Sequence, residues 1–402
     1  MTSLFVPGRI ELLGKHTDYA GGSSLLVAVD RGFTFRAEPV AGDEVVVRSD
    51  ASGEEVRYRN GRDGSAPSWA RYTDAVLQRV TAEFGDACRG ARVDFTSTLP
   101  AASGLSSSSA LITGLFLALD TICRFSGLAA FRAAVPDAAA LATWLAAIES
   151  GGRVGTRGGS EDHTALLLAV PDRVVRYAFA PVRDRGSAPV PAGWRFAVGA
   201  SGVVADKGGS ARAAYNRLSD LAADAARAWA TGTGAATGPG DPPLHLGRAR
   251  RESSGADAVL HAVRAGAATL GLEPDPLLRR ARHFLEESAL VDDAFDALVA
   301  GDVTAFAAAA NRSAERGAEL LDNQVPETLA LAEVARNLGA PAASPFGAGF
   351  GGAVWALVPD ADADRFVVAW EGAYRARFPQ RPGARFFHTP AAPPATPLPR
   401  FA

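Results

Sequence analysis

Four stretches of this chain concentrate residue types able to do chemistry. Ser103-Gly104-Leu105-Ser106-Ser107-Ser108-Ser109 follows one apolar segment, Val93 to Leu99, and opens another in which Leu105, Ile112, Leu115, Phe116, Leu119 and Ile122 recur at helical spacing. That pattern predicts a loop feeding a helix N-terminus, whose unpaired N–H groups and partial positive charge suit a phosphate where no bulky side chain intervenes. Between Val6 and Asp30, Pro-Gly and Gly-Gly turns bracket Arg9, Glu11, Lys15, His16 and Asp18. Such a cluster reads as a binding site, or else as a solvated hairpin end with ordinary ion pairs. Residues Ser150 to Thr164 hold five glycines and end on Glu161, Asp162 and His163, carboxylates and an imidazole on a closely approached backbone, as catalysis would need. A surface loop with incidental charge is the competing reading. A second Gly-rich turn, Ser344-Pro345-Phe346-Gly347-Ala348-Gly349-Phe350-Gly351-Gly352, lies near the end.

Elements able to position these stretches follow from periodicity. Ser24–Val29, Phe33–Ala37, Val45–Arg48, Val56–Tyr58, Val93–Thr98, Ala165–Leu168, Val174–Phe179 and Arg195–Val198 read as strands, and Trp69–Phe84 and Ala138–Glu149 as helices. The last of these strands is expected to close a first, α+β domain over residues 1–205. Beyond Lys207 the pattern turns helical over Ser210–Ala230, Ala256–Leu270, Leu277–Val299, Val303–Leu321 and Thr328–Leu338, with a Gly/Pro-rich connector, 231–243, inside the run. A strand, Ala353–Val358, a helix near Asp362–Ala376 and a Pro-rich tail complete an expected second domain, 206–402.

Composition narrows the function. With 402 residues, 48% of them hydrophobic, there is material for two cores. A net charge of −3 gives no broad basic face, so nucleic acid is not an expected partner. No apolar run of membrane-spanning length occurs and the first residues lack a leader pattern, so no membrane partner is expected either. Cys88 and Cys123 read as core residues in a reducing compartment, which points to the cytoplasm. The 41 basic residues include only two lysines, Lys15 and Lys207.

Familiar phosphate sites are excluded in turn. The Walker pattern is missing, since neither lysine follows a suitable glycine run. Gly347 to Gly352 satisfies G-x-G-x-x-G, but a helix precedes it and a strand follows, the reverse of dinucleotide binding. Its extension through Val354 matches the protein-kinase glycine loop without the H-R-D and D-F-G segments that would hold metal and acceptor.

Taken together the motifs resemble a known family. PGRIELLGKHTDYAGG resembles the galactokinase signature; GLSSSSA and SPFGAGFGG resemble the second and third motifs of the GHMP superfamily, which unites galactokinase, homoserine kinase, mevalonate kinase and phosphomevalonate kinase. Trp69-Ala70-Arg71-Tyr72, Tyr215-Asn216-Arg217 and Val325-Pro326-Glu327 also fall where galactokinases have similar residues. The resemblance implies an α+β, two-domain GHMP-kinase-like fold: an N-terminal domain like the second domain of ribosomal protein S5, a ferredoxin-like C-terminal domain with extra helices, and an active site between them. It implies a cytoplasmic enzyme that transfers the terminal phosphoryl group of ATP, with Mg²⁺, to the anomeric hydroxyl of galactose or a related monosaccharide, as a monomer or weak homodimer.

The same resemblance assigns roles. Ser103, Gly104, Leu105, Ser106, Ser107, Ser108 and Ser109 would cradle ATP, with Trp69 bordering the adenine. Ser108 and Glu149 would hold the metal, Glu149 reading otherwise as a solvated helix end. Asp162 would be the catalytic carboxylate and Arg9 its guanidinium partner, whether Asp162 removes the proton or orients the hydroxyl. Lys15, His16, Asp18, Gly159, Tyr215, Gly349 and Gly351 would contact the sugar, with Gly347 and Gly352 closing on the phosphate loop, and His163, where a glutamine is usual, would be a spacer. Two positions depart from the family: Glu11 replaces an asparagine and Lys15 a glutamate that would accept from the primary alcohol. Lys15 either favours an acidic or phosphorylated sugar or cyclitol, or pairs internally with Glu11. Rival readings are a homoserine- or mevalonate-type kinase and a non-catalytic sugar and ATP sensor of the same fold.

Overall fold

The structure, a computed structural model, describes all residues except 1, 59–66, 101–102, 153, 204–209, 239–243, 400 and 402. In chain order its elements are β1 (Thr2–Leu13), β2 (Ser23–Pro39), β3 (Val45–Ser49), β4 (Glu55–Tyr58), α1 (Ala70–Phe84), β5 (Ala91–Ser97), α2 (Ser107–Cys123), α3 (Ala129–Ala134), α4 (Ala138–Ser150), α5 (Glu161–Leu168), β6 (Arg173–Ala178), β7 (Arg183–Pro189) and β8 (Trp194–Ala200). There follow α6 (Ser210–Thr233), α7 (Leu246–Glu252), α8 (Ala256–Leu270), α9 (Pro274–Ala300), α10 (Val303–Leu321), α11 (Pro326–Asn337), β9 (Ala343–Phe346), β10 (Ala353–Pro359), α12 (Ala363–Arg377) and β11 (Arg385–Thr389). A two-domain α+β architecture results, with one large and one small sheet.

In the large sheet the strand order is β4-β3-β5-β2-β6-β7, with β1 also paired to β2; only β3 and β5 run parallel. Helix α2 lies across β1 and β2 and buries Leu111, Ile112, Leu115, Phe116 and Leu119, most of the stripe its spacing predicts. It can lie that close because residue 114 is glycine: a Cβ there would sit 1.9 Å from the Phe35 ring. The small sheet, β11-β8-β10-β9, is antiparallel throughout. Leu331, Ala335, Phe366, Trp370 and Tyr374 of α11 and α12 form a core with Val354, Ala356 and Val358 of its central strand, while Phe306 of α10 stacks on Trp355. Helices α6, α8 and α9 pack through alanines around Trp229 and Phe284.

Four sequence expectations are corrected. Residues Ala165–Leu168 are the end of helix α5, not a strand; a short apolar run fits either, and acidic Glu161 and Asp162 in the first turn favour the helix. The strand expected to close the first domain, β8, pairs instead with β10 and β11 in the second sheet, a long-range pairing with no local signature. Ser24–Val29 and Phe33–Ala37 are one continuous strand, and the Pro-rich tail crosses back to the first sheet by bridges from Thr396 to Phe5 and Ala392 to Ala28. The expected boundary at 205/206 lies outside the described residues, as does Lys207. Among the described residues no helix is long and apolar enough to cross a membrane.

Because Gly114 sits against a buried ring, Gly114→Ala should destabilise the protein by about 1–3 kcal/mol through overpacking. The check is urea unfolding followed by fluorescence; an unchanged midpoint would show that Phe35 moves aside freely.

Candidate active site

Three elements converge on one buried charge. Arg9 and Glu11 are two residues apart on β1, so both side chains leave the same face. The Arg9 guanidinium donates from Nη2 to Asp162 Oδ1 at 2.5 Å and from Nη1 to the Gly104 carbonyl. Its Nε lies 3.8 Å from Glu161 Oε1 and has no hydrogen-bond partner of its own. Burial opposes the Arg9 charge, but Asp162, Glu161 and Glu11 outweigh it and bind the proton more firmly than in an ordinary arginine.

Asp162 stands in the first turn of α5, where the helix dipole favours a carboxylate. Ser109, in the first turn of α2, donates to Glu149 Oε2 at 2.7 Å and to Asp162 Oδ2 at 3.3 Å, and Ser108 donates to Glu149 Oε1 at 2.7 Å. Two helix N-termini therefore face one another across a hydroxyl bridge. Ser106, just before α2, and Gly104 both have positive φ, which turns the loop sharply into the helix.

The second Gly-rich turn closes over that loop backbone to backbone. A Cβ on Gly347 would lie 3.1 Å from the Gly104 carbonyl, and one on Gly352 would lie 3.2 Å from that of Ser103. Gly349 and Gly351, expected at the sugar, are packed instead against Asn323 and Val203. A cleft opens here, lined by Arg9, Glu11, His16, Asp18, Glu149, Ser150, Thr156, Gly158, Gly159, Glu161, Asp162, Tyr215, Gly347 and Ala348. Gly158 and Gly159 are required by close approach, since a Cβ would meet Tyr215 Oη at 2.9 Å and Asp18 Oδ2 at 2.4 Å.

Most expected site residues are thus brought together; besides Gly349 and Gly351, two more are not. Trp69 lies outside the cleft, edge-on to Phe95 and donating to Glu54. Lys15 is buried but turned away: Nζ donates to Ser313 at 2.7 Å and is 4.0 Å from Glu287, with its stem passing over Gly317. The internal pairing expected for Lys15 is thus with Glu287 of α9 and not with Glu11. Both nitrogens of His16 are occupied by the protein, Nε2 with the Ala348 carbonyl at 3.0 Å and Nδ1 with Tyr19 at 2.8 Å. Tyr215, buried and next to Asp18, has its phenol pushed well above the ordinary value, so it stays neutral and able to donate.

Glu11 and Glu161 are wholly buried and within hydrogen-bonding reach of each other. Burial raises both, and Glu161, next to Glu11 and Asp18, is driven well above the ordinary carboxylate value. Ser24 donates to Glu161 at 2.6 Å. Other contributors were missed in the sequence. Buried Arg280 of α9 donates to the carbonyls of His16 and Leu218 and reaches the Tyr19 hydroxyl at 3.3 Å. Its neighbour His283 is kept neutral by burial and by Arg280 itself. His163 is more than a spacer, standing between Thr113 at 3.1 Å and Glu149 at 3.3 Å. Nothing local marks Arg280, which reads as one more charge on a helix.

This architecture and site define a class. Residues 71–169 match the GHMP kinases N terminal domain and residues 294–376 the GHMP kinases C terminal domain, so the protein is a GHMP-type kinase, a phosphotransferase of a group that uses ATP. Residues 3–39 match the galactokinase galactose-binding signature. A galactokinase of Mycobacterium tuberculosis is 31% identical over 370 residues, covering 90% of each chain, and one from Roseiflexus is 26% identical over 90% of this chain and 84% of its own. The crystal structure of Lactococcus lactis galactokinase complexed with galactose superposes with a TM-score of 0.78 at 23% identity, over 98% of this chain and 95% of that one. The chain belongs to the galactokinase family, whose members are sugar kinases.

Removing one member of a buried ion pair strands the other, so Lys15→Met should cost about 3–5 kcal/mol, and adding Glu287→Gln should recover most of the loss. Chemical denaturation of both variants checks this. Equal stability of Lys15→Met and wild type would mean that Lys15 is not held where the structure puts it.

Proposed function

We propose that the protein transfers the γ-phosphoryl group of ATP to the anomeric hydroxyl of galactose or a closely related neutral monosaccharide. The observation that carries this reading is the Arg9–Asp162 contact at one helix start, facing the Ser-rich start of α2 across Ser109. In it the triphosphate rests on the N–H groups from Ser106 to Ser109. Asp162, ionised beside Arg9, accepts a hydrogen bond from the sugar hydroxyl and takes its proton as the new O–P bond forms and the bond to the β–γ bridging oxygen breaks, releasing ADP. Arg9 stabilises charge on the group in transit. The Ser108 hydroxyl and Glu149 carboxylate, hard oxygen donors 2.7 Å apart, fit Mg²⁺, which supplies charge neutralisation at the phosphates. Asp18 and Tyr215 hold sugar hydroxyls, with Gly159 giving the backbone access. Two free thiols, Cys88 and Cys123, suit the cytoplasm.

A neutral acceptor is favoured over an acidic or phosphorylated one by the charges present. The cleft is lined by Glu11, Asp18, Glu149 and Asp162 against Arg9, and Lys15 faces α9 and α10 instead. Of ATP-coupled turnover on galactose, galacturonate and a hexose 6-phosphate, only the first should be substantial; a preference for either anion would overturn the substrate class. Asp162→Asn should leave ATP binding within about threefold while lowering kcat by at least about 10²-fold, the usual span of a lost general base. Equilibrium binding of ATP and ADP release by the same preparation separate the two effects, and near-normal turnover would remove Asp162 from its role.

A further inference from the structure

The guanidinium that faces the reacting groups has a second, hidden side. Its Nη atoms are committed to Asp162 and Gly104, while Nε points to Glu161 at 3.8 Å and is unpartnered. Behind it stands Glu11, with Oε1 also unpartnered and no access to solvent. Two buried carboxyls within hydrogen-bonding reach repel each other when both are ionised, which favours one proton between them. With it the pair carries one negative charge; without it, two.

We propose that Glu11 and Glu161 share a single proton and act together as a positioning pair that leaves Arg9 turned onto Asp162. This rests on the kinase reading above and adds to it two residues that act through Arg9. The singly charged pair helps to neutralise the buried guanidinium from the Nε side, yet is too weak a partner to draw it from Asp162. Loss of the shared proton places a second carboxylate beside Nε, where Glu11 and Glu161 then compete with Asp162 for the cation. Charged groups facing the pair are Arg9 on β1, Lys15 and Asp18 in the turn after it, Asp162 on α5 and Glu287 on α9. Ser24, from β2, holds the Glu161 carboxyl in place through Oε2. Because the Arg9 charge is always present, the proton on the pair is the variable that sets which side it prefers.

The sign follows directly. Activity requires the protonated pair, so kcat should fall as pH rises far enough above the ordinary carboxylate range to remove the shared proton. Glu11→Gln and Glu161→Gln each fix the pair at one negative charge, so in both the fall of about tenfold over that rise in pH should shrink to less than about twofold. Glu161→Ala, which removes the donor to Glu11, should lower kcat with little change in KM for ATP, and glutamine at 161 should rescue it. An independent readout needs no turnover: infrared spectra of the wild type at pH 7 should show a protonated carboxyl band that disappears in Glu161→Gln. A band absent from the wild type overturns the proposal, and so does an alkaline limb unchanged in both glutamine variants. A wild type with the band but no phosphoryl transfer to any sugar would instead count against the kinase reading.

Discussion

A single buried cation organises this protein. Removing a guanidinium from water is costly unless its donors are satisfied and its charge is balanced, and Arg9 is 2% exposed. Its needs are met from three directions: a carbonyl of the phosphate loop, a carboxylate at the start of α5, and two more carboxyls on its Nε side. The groups that accept from the cation or balance its charge come from separate parts of the chain, so satisfying it brings the loop before α2, the start of α5 and strand β1 into one arrangement. That arrangement is also what the chemistry requires, an ionised acceptor beside a helix start that can take phosphate. Stability and function thus depend here on the same contacts.

Glycine supplies the complementary condition. The loop around Gly104 and the turn from Gly347 to Gly352 touch through main-chain atoms, in backbone conformations of positive φ that favour glycine and with little room for a Cβ. The approach places the second sheet, through β9 and β10, against the phosphate loop of the first. Asp18 and Tyr215 likewise come together over Gly158 and Gly159. Small residues in this fold are therefore less flexible joints than places where two pieces of backbone meet.

Much of this could be read in the sequence. Arg9, Asp18, Asp162, Ser108 and Glu149 lie in segments whose residue types and motifs mark them as candidate site residues, and the apolar stripe of α2 foretold its burial. What could not be read is what depends on distant partners. Lys15 reads as a substrate contact, or as the partner of Glu11, because it stands where the family has a glutamate; only the fold shows Ser313 and Glu287, nearly three hundred residues away, around it. Arg280 carries no motif at all, yet it fixes the carbonyl of His16. The strand β8 belongs to the second sheet for reasons of pairing that no local pattern encodes, and α5 was mistaken for a strand because four apolar residues suit both periods.

Charge balance gives the site its selectivity as well as its shape. With several carboxylates around one guanidinium, the sugar end of the cleft repels anions, whereas the start of α2, with its free N–H groups and no acidic residue in the first turn, attracts them. The neutral acceptor and anionic donor of the proposed reaction match this gradient. The lysine that might have reversed the gradient is engaged by Glu287 instead, and the extra glutamate at position 11 strengthens it. The two departures from the family pattern therefore act in the same direction: Lys15 is withdrawn from the cleft, and Glu11 is added to the carboxylates that surround Arg9.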